Sequence, residues 1–272
     1  MYYETYPPHP DLEAIVRCYW VLEVPKALDA PKQRVIPDGT IEMCFILGDD
    51  IKRYTTDKDF IIQPRAMVFG QITRPYFVQP TGYVNTFAVR FYPYGFANFI
   101  DRPIKTLADK ETSITELFGE EAKELENRII EAPTTESRIE IIGNFLLQKL
   151  INPITIDHIV GSTLKALYAT KGSVSISSIL KDEPSKRRSL ERKFSKQVGI
   201  SPKQLGRIIR LQAVLKLMHE RQEENLTSIA YESEYYDQAH FIKDFKHFTG
   251  VNPKQFFTDA EMMLSSLIYS KD

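Results

Sequence analysis

SLERKFSKQVGISPKQ, residues Ser189 to Gln204, decides how this chain is read, because a diverged second copy follows it at an offset of 51 residues. That copy is AHFIKDFKHFTGVNPKQ, Ala239 to Gln255. The offset lays Leu190 on Phe241, Phe194 on Phe245, Gly199 on Gly250 and Ile200 on Val251, then Pro202 on Pro253, Lys203 on Lys254 and Gln204 on Gln255. In each copy two large apolar residues four apart form one apolar stripe on a helix, and the glycine suits the left-handed residue that closes it. The proline that follows suits the start of the next helix. A short helical pattern precedes each copy, Ile176 to Lys181 and Leu226 to Ser233, so each unit reads as helix, turn, helix. A short helix feeding a turn and then an amphipathic helix with a cationic or amide-rich outer face is the geometry that enters a major groove.

In the first copy, burial of Leu190 and Phe194 leaves Arg187, Arg188, Glu191 and Arg192 on the opposite or flanking faces. The arginine fork matches guanine O6 and N7, and a glutamate can accept from cytosine N4. Lys186 and Arg187, at the helix start, are better suited to phosphate. The plain alternative is a solvated cationic face. In the second copy, burial of Phe241 and Phe245 leaves Gln238, Ala239, Ile242 and Lys243 on the corresponding face. Glutamine pairs bidentately with adenine, while alanine and isoleucine can touch a thymine methyl. His240 lies between core and groove, where a core-edge or phosphate role is open to it. Lys254 is placed at a helix start, where backbone phosphates pass.

LERKFSKQVGISPKQLGRIIRLQAVLKLM and LTSIAYESEYYDQAHFIKDFKHFTGVNPKQFF together resemble the two-repeat DNA-binding domain of the AraC/XylS transcription regulators, over roughly the last third of the chain. The second segment, with its IA, DQAHF, FK and GVNP, carries the more specific match. The resemblance implies that Arg188, Glu191 and Arg192 occupy base-facing positions of the first recognition helix. It also implies activation rather than repression, with part of the helical surface contacting RNA polymerase. Two departures stand out: Glu234 occupies a turn position where the family usually has glycine, and EPSK at 183–186 replaces the usual turn of the first repeat. The first favours a strained or rebuilt turn; the second shifts the expected helix start.

A length of 272 residues allows two domains of ordinary size, each with its own core. With 43% hydrophobic and 26% charged residues, the composition is that of a soluble globular protein. No run approaches the roughly 20 apolar residues that cross a membrane, and MYYETYPPHP lacks the start of a secretion signal. A cytoplasmic protein without a membrane partner is therefore expected. The net charge of −1 divides unevenly: residues 171–257 hold 16 Lys+Arg against 10 Asp+Glu, so the remainder is acidic. Such asymmetry is expected where only one domain meets phosphate, although chance segregation gives as much.

RCYWVLEV, GTIEMCFIL, FIIQ, AMVFGQI, YFVQP and VNTFAVRFY read as short strands punctuated by Pro, Gly and Asp. In the last of these, alternation puts Phe87, Val89 and Phe91 on one face and Thr86, Ala88, Arg90 and Tyr92 on the other. Close spacing without helical periods suggests a small barrel or sandwich. VIPDGTIEMCF and AVRFYPYGFANFI resemble the sensor-type N-terminal domain of a subset of AraC-like proteins, which implies a cupin-like β-fold; Tyr94 stands where glycine is expected. From Ser113 the period turns helical, with Ser113 and Glu116 spaced as a capping box. These helices read either as a bridge reaching a second subunit in a homodimer or as the completion of the first core.

The expected architecture is α+β. Residues 1–110 form a β-rich sensor-like domain, 111–170 a helical bridge, 171–257 an all-α pair of helix-turn-helix units joined by one long helix, and 258–272 a helical tail. Trp20, Glu42, Arg90 and Tyr92 are candidates for an effector pocket, as one or two charges among aromatics commonly line such sites. The competing reading puts Trp20 and Tyr92 in the core and Arg90 with Glu42 as a solvent-facing pair. The strands supply no His for a cupin-type metal site, and neither Cys18 nor Cys44 has a neighbouring His to activate it. Buried reduced thiols are expected at both cysteines. No enzyme and no cofactor is expected. Double-stranded DNA is the expected partner, together with a small-molecule effector. The rival from another class is a small-molecule-binding or enzymatic β-domain whose helix-turn-helix region serves only as an interaction module, which Glu234 keeps open.

Overall fold

The computed structural model describes residues 1–262 apart from 28–29, 152–154, 182, 221–231, 234, 236 and 257–258. The expected helix at Leu226 to Ser233, Glu234 and most of the tail lie wholly or largely outside the described residues. The strands are Tyr2–Tyr6 (β1), Val16–Val24 (β2), Gln33–Val35 (β3), Ile41–Ile46 (β4), Ile51–Tyr54 (β5), Phe60–Ile62 (β6), Ala66–Phe69 (β7), Tyr76–Pro80 (β8), Val84–Phe91 (β9) and Glu111–Ser113 (β10). All pair antiparallel, in two sheets of order β1-β2-β9-β4-β7-β10 and β3-β8-β5-β6. Six of them match the strands expected from pattern, while β1, β3, β5 and β10 were not foreseen.

Strict alternation gives the larger sheet two working faces. Tyr19, Val21, Met43, Phe45, Phe87 and Val89 point to a core completed by helices Ile114–Phe118 (α1), Glu121–Glu131 (α2) and Thr135–Lys149 (α3). Leu125, Ile129, Ile142 and Leu146 of these helices are buried in that same core. The capping box expected at Ser113 and Glu116 is not formed. Ser113 accepts from the Thr115 amide, Glu116 instead pairs with Arg102, and the reciprocal box sits at Thr134 and Ser137. The opposite face carries Trp20, Leu22, Cys44, Met67 and Ala88 toward the smaller sheet.

Helix His158–Ala169 (α4) leaves the bridge and joins the C-terminal core with Ile176–Ile179 (α5), Pro184–Gln197 (α6), Pro202–Glu220 (α7) and Gln238–Thr249 (α8). Along α7 a stripe that includes Gln212 is buried at Leu205, Ile208, Ile209, Leu215 and Met218. Gln212 is the exception: its amide donates to the Pro37 carbonyl at 2.5 Å, outside its own domain. The PDG turn explains that contact. Asp38 accepts from the Thr40 amide, and Gly39, at φ +81°, seats against Leu205 and Ile208 of α7, with Ile36 buried in the C-terminal core. A residue with a Cβ is strained in that conformation. Arg34 completes the junction. Its guanidinium donates to the Thr249 carbonyl at 3.1 Å and lies 3.3 Å from Asp259 and 2.7 Å from Glu261.

No described helix is long and apolar enough to cross a membrane.

Candidate nucleic-acid interface

Helices α6 and α8 both close as their sequences require. Val198 and Gly199 both donate to the Phe194 carbonyl at the end of α6, with Gly199 at φ +97°. Gly250, at φ +77°, closes α8 by donating to Lys246. After the first closure Pro202 opens α7, but in the second copy Pro253 and Lys254 lie in a turn, so Lys254 is not at a helix start. In that turn Gln255 and Phe256 donate to the Asn252 and Pro253 carbonyls. Lys254 is nevertheless exposed.

On α6, Leu190 and Phe194 are fully buried, while Lys186, Arg187, Arg188 and Arg192 are exposed and Glu191 is half-buried. EPSK places the helix start at Pro184, a residue that lacks the amide a first position would leave unpaired. Lys186 therefore falls in the first turn, bridged to Glu183 at 2.8 Å. On α8, Phe241 and Phe245 are buried, and Gln238, Ala239, His240, Ile242 and Lys243 are all exposed. Asp237 caps this helix by accepting from the His240 amide at 2.7 Å, which leaves the first turn free to present its outer side chains.

Four residues that pattern reading passed over hold these helices in place. Lys193, on the flank of α6, lies 2.8 Å from Asp157, the residue that caps α4. That bond, more than any other contact, holds the Asp157 carboxyl below its usual range. Arg207 of α7 grips Asp244 of α8 through two bonds, Nε to Oδ2 at 3.2 Å and a terminal nitrogen to Oδ1 at 2.8 Å. Asp244 is 4% exposed. The same guanidinium lies over the Phe248 ring at 4.8 Å. A planar fork locked on both oxygens fixes α8 in rotation as well as distance from the linking helix. The signal was present in the sequence: 241, 244, 245 and 248 are stripe positions, and an acid among three phenylalanines needs a partner.

A helix-turn-helix family model matches residues 185–259, and a model described as a domain of unknown function (DUF6597) matches residues 4–113. The C-terminal domain is a helix-turn-helix domain of the AraC type. The chain is accordingly a DNA-binding transcription regulator. No curated protein matches it significantly by sequence. Among solved structures, ToxT from Vibrio cholerae in one crystal form is 11% identical, covers 90% of this chain and 99% of its own length, and superposes with a TM-score of 0.50. An apo variant of ToxT from Vibrio cholerae strain SCE256 is 14% identical over 88% of this chain and 97% of its own, with a TM-score of 0.48. The first of these likenesses shows a shared two-domain fold.

Ahead of the AraC-type domain, the sensor-like domain brings three of its four candidate residues together. Glu42 and Arg90 are opposite one another in the β4–β9 register, and Glu42 Oε1 accepts from Arg90 Nε at 2.8 Å and from Trp20 Nε1 at 3.0 Å. The solvent-facing reading of this pair is wrong, since Arg90 is 2% exposed. It faces the smaller sheet because even-numbered positions of β9 do so. Burial pushes the Glu42 carboxyl upward, against the pull of Arg90. Tyr92 falls beyond the end of β9 and stacks on Tyr94 at 6.2 Å. Tyr94 needs no glycine geometry, at φ −100°, and its hydroxyl donates to the Ala14 carbonyl. Both cysteines are free thiols, Cys44 buried and Cys18 half-buried.

Proposed function

We propose that this chain is a sequence-specific, cytoplasmic transcription activator that reads DNA with α6 and α8 and responds to a small-molecule effector through its β-domain. One observation carries the reading. In both copies of an AraC-type repeat, the face opposite the buried pair (Leu190 and Phe194, Phe241 and Phe245) is exposed and bears side chains with base-reading chemistry. Arg188 and Arg192, with Glu191 beside them, are assigned to base edges under α6; Gln238, Ala239, Ile242 and Lys243 are assigned to base edges under α8. Lys186, Arg187 and Lys254 are assigned to phosphates. The Arg207–Asp244 lock supports a fixed spacing, with the two helices entering successive major grooves about 34 Å apart. Contact with RNA polymerase and assembly as a homodimer belong to the same proposal and rest on the family resemblance.

The reading is tested by mobility shift of its own promoter fragment in an excess of unrelated competitor DNA. A complex that survives the competitor is expected; one that disappears in proportion to competitor added would leave only nonspecific binding.

A further inference from the structure

We infer that the open edge of β6 is an interface between two copies of this chain, which pair antiparallel through Phe60, Ile61 and Ile62 and so join their smaller sheets into one. The inference deepens the homodimer part of the reading above by giving it a surface, and the pairing it describes needs no DNA.

Each sheet ends in two edge strands, and three of the four are blunted. β3 is pinned to the C-terminal domain through Arg34, β10 carries Glu111 and runs directly into α1, and β1 carries the exposed Glu4 at its centre. Charge, proline or a covering element is how a sheet edge that has no partner is usually protected. β6 has none of these. Its three residues are all apolar, are 44%, 43% and 48% exposed, and have no strand beyond them among the described residues.

The bonds that β6 already makes fix the register. Gln63 donates to the Ile51 carbonyl and Thr55 to the Asp59 carbonyl, so Asp59, Ile61 and Gln63 turn their backbone groups toward β5. Phe60 and Ile62 therefore turn theirs outward. With Phe60 opposite Ile62 of the second copy, every one of these outward amides and carbonyls is used. A slip of two residues one way sets Phe60 opposite Pro64, which has no amide to give. A slip the other way sets Ile62 opposite Lys58, which lies in a bend. In the remaining register each Phe60 meets a β-branched Ile62, and Ile61 meets its own copy on the other face, both favourable cross-strand pairs. Beyond the strand, Asp59 comes opposite Gln63 and Asp57 falls on the side of Arg65, whose side chain is 40% exposed, so like charges do not meet.

The edge is short. Stable interfaces bury roughly 1,200 to 2,000 Å² in total, and three residues from each chain fall below that, so the association is weak and concentration-dependent. Phe60 is already held in the free chain, 5.8 Å from the Tyr54 ring and 4.5 Å under the Lys52 ammonium, so little of its freedom is lost on pairing.

Sedimentation equilibrium of the full chain without DNA, over a wide range of concentration, tests the interface. Reversible dimerisation is expected. Ile62→Pro removes an amide that only the second copy would use, and Ile61→Lys sets two lysines face to face; each is expected to weaken the dimer at least tenfold. Ile130→Lys, at a similarly exposed apolar residue of α2, should leave it unchanged. Ile61→Cys is expected to give a disulfide-linked dimer under mild oxidation, because residues facing each other between two bonded pairs lie close enough for one. The wild type, with Cys18 and Cys44 as its only thiols, should not. A chain that stays monomeric and whose Ile61→Cys variant does not cross-link would overturn the inference. So would a dimer that survives both Ile62→Pro and Ile61→Lys, although the homodimer reading would then stand, or one that Ile130→Lys weakens equally. A dimer with these properties that binds no specific duplex would overturn the regulator reading alone.

Discussion

Replacing Arg188 with alanine is expected to lower affinity for the cognate duplex by a factor of roughly 10 to 100 and affinity for a scrambled duplex by no more than a few-fold. The side chain is exposed on α6 opposite Leu190 and Phe194 and has no hydrogen-bond or ion-pair partner among the described residues. A guanidinium on guanine O6 and N7 makes contacts that only one base pair supplies, so its loss should also relax preference at one position of the site. A smaller loss of the same kind is expected for Lys243→Ala on α8. Lys254→Ala should behave differently. Exposed in the turn after α8, Lys254 suits phosphate, so both duplexes should weaken alike, with the slope of log K against log salt shallower by about one. Salt titrations of the three variants on both duplexes separate the roles. Equal losses on cognate and scrambled DNA for Arg188→Ala would remove α6 from base reading.

The other large effect concerns the lock between the two units. Asp244→Ala is expected to destabilise the protein by about 2 kcal/mol, below the figure for breaking a wholly buried pair because Arg207 is 31% exposed and can rehydrate. Cognate affinity should fall along with stability, since α8 loses the fork that sets its rotation on α7. Asp244→Asn keeps one acceptor for Arg207 and should lose less on both counts. Urea unfolding and duplex titration of the two variants provide the check. A loss under about 0.5 kcal/mol for Asp244→Ala would show that the pair carries little of the geometry.

What could be read beforehand was whatever is written locally. The paired helices of the 51-residue repeat, the apolar stripe of α7 and the alternation in β9 all rest on periodicity, and α6, α7, α8 and β9 lie where that spacing expects them. The strands missed are those whose reasons lie elsewhere in the chain. QRV in β3 is polar and three residues long, yet Gln33 and Arg34 are buried. Arg34 finds its partners at Thr249 and Glu261, 215 and 227 positions away, and no window in the sequence contains that information. β5, IKRY, is similar: Arg53 is accounted for by Glu111 in β10 and by the Asp109 carbonyl just before it. In the sensor-like domain, alternation put Arg90 and Tyr92 on one face but could not say where the strand ends, and so Tyr92 was grouped with residues that it does not join. The PDG turn was legible only as part of the sensor-type resemblance. Its conformation is explained by a neighbouring domain, through Leu205 and Ile208.

The measurement that bears most directly on two-helix reading of DNA is selection of the full chain on a pool of random duplexes, with the bound fraction sequenced. The account predicts one enriched site made of two submotifs with centres about 10 to 10.5 base pairs apart, of which Arg188→Ala relaxes one and Gln238→Ala the other. Retention of the pool without enrichment of any sequence, or enrichment of a single submotif that neither substitution alters, would contradict it.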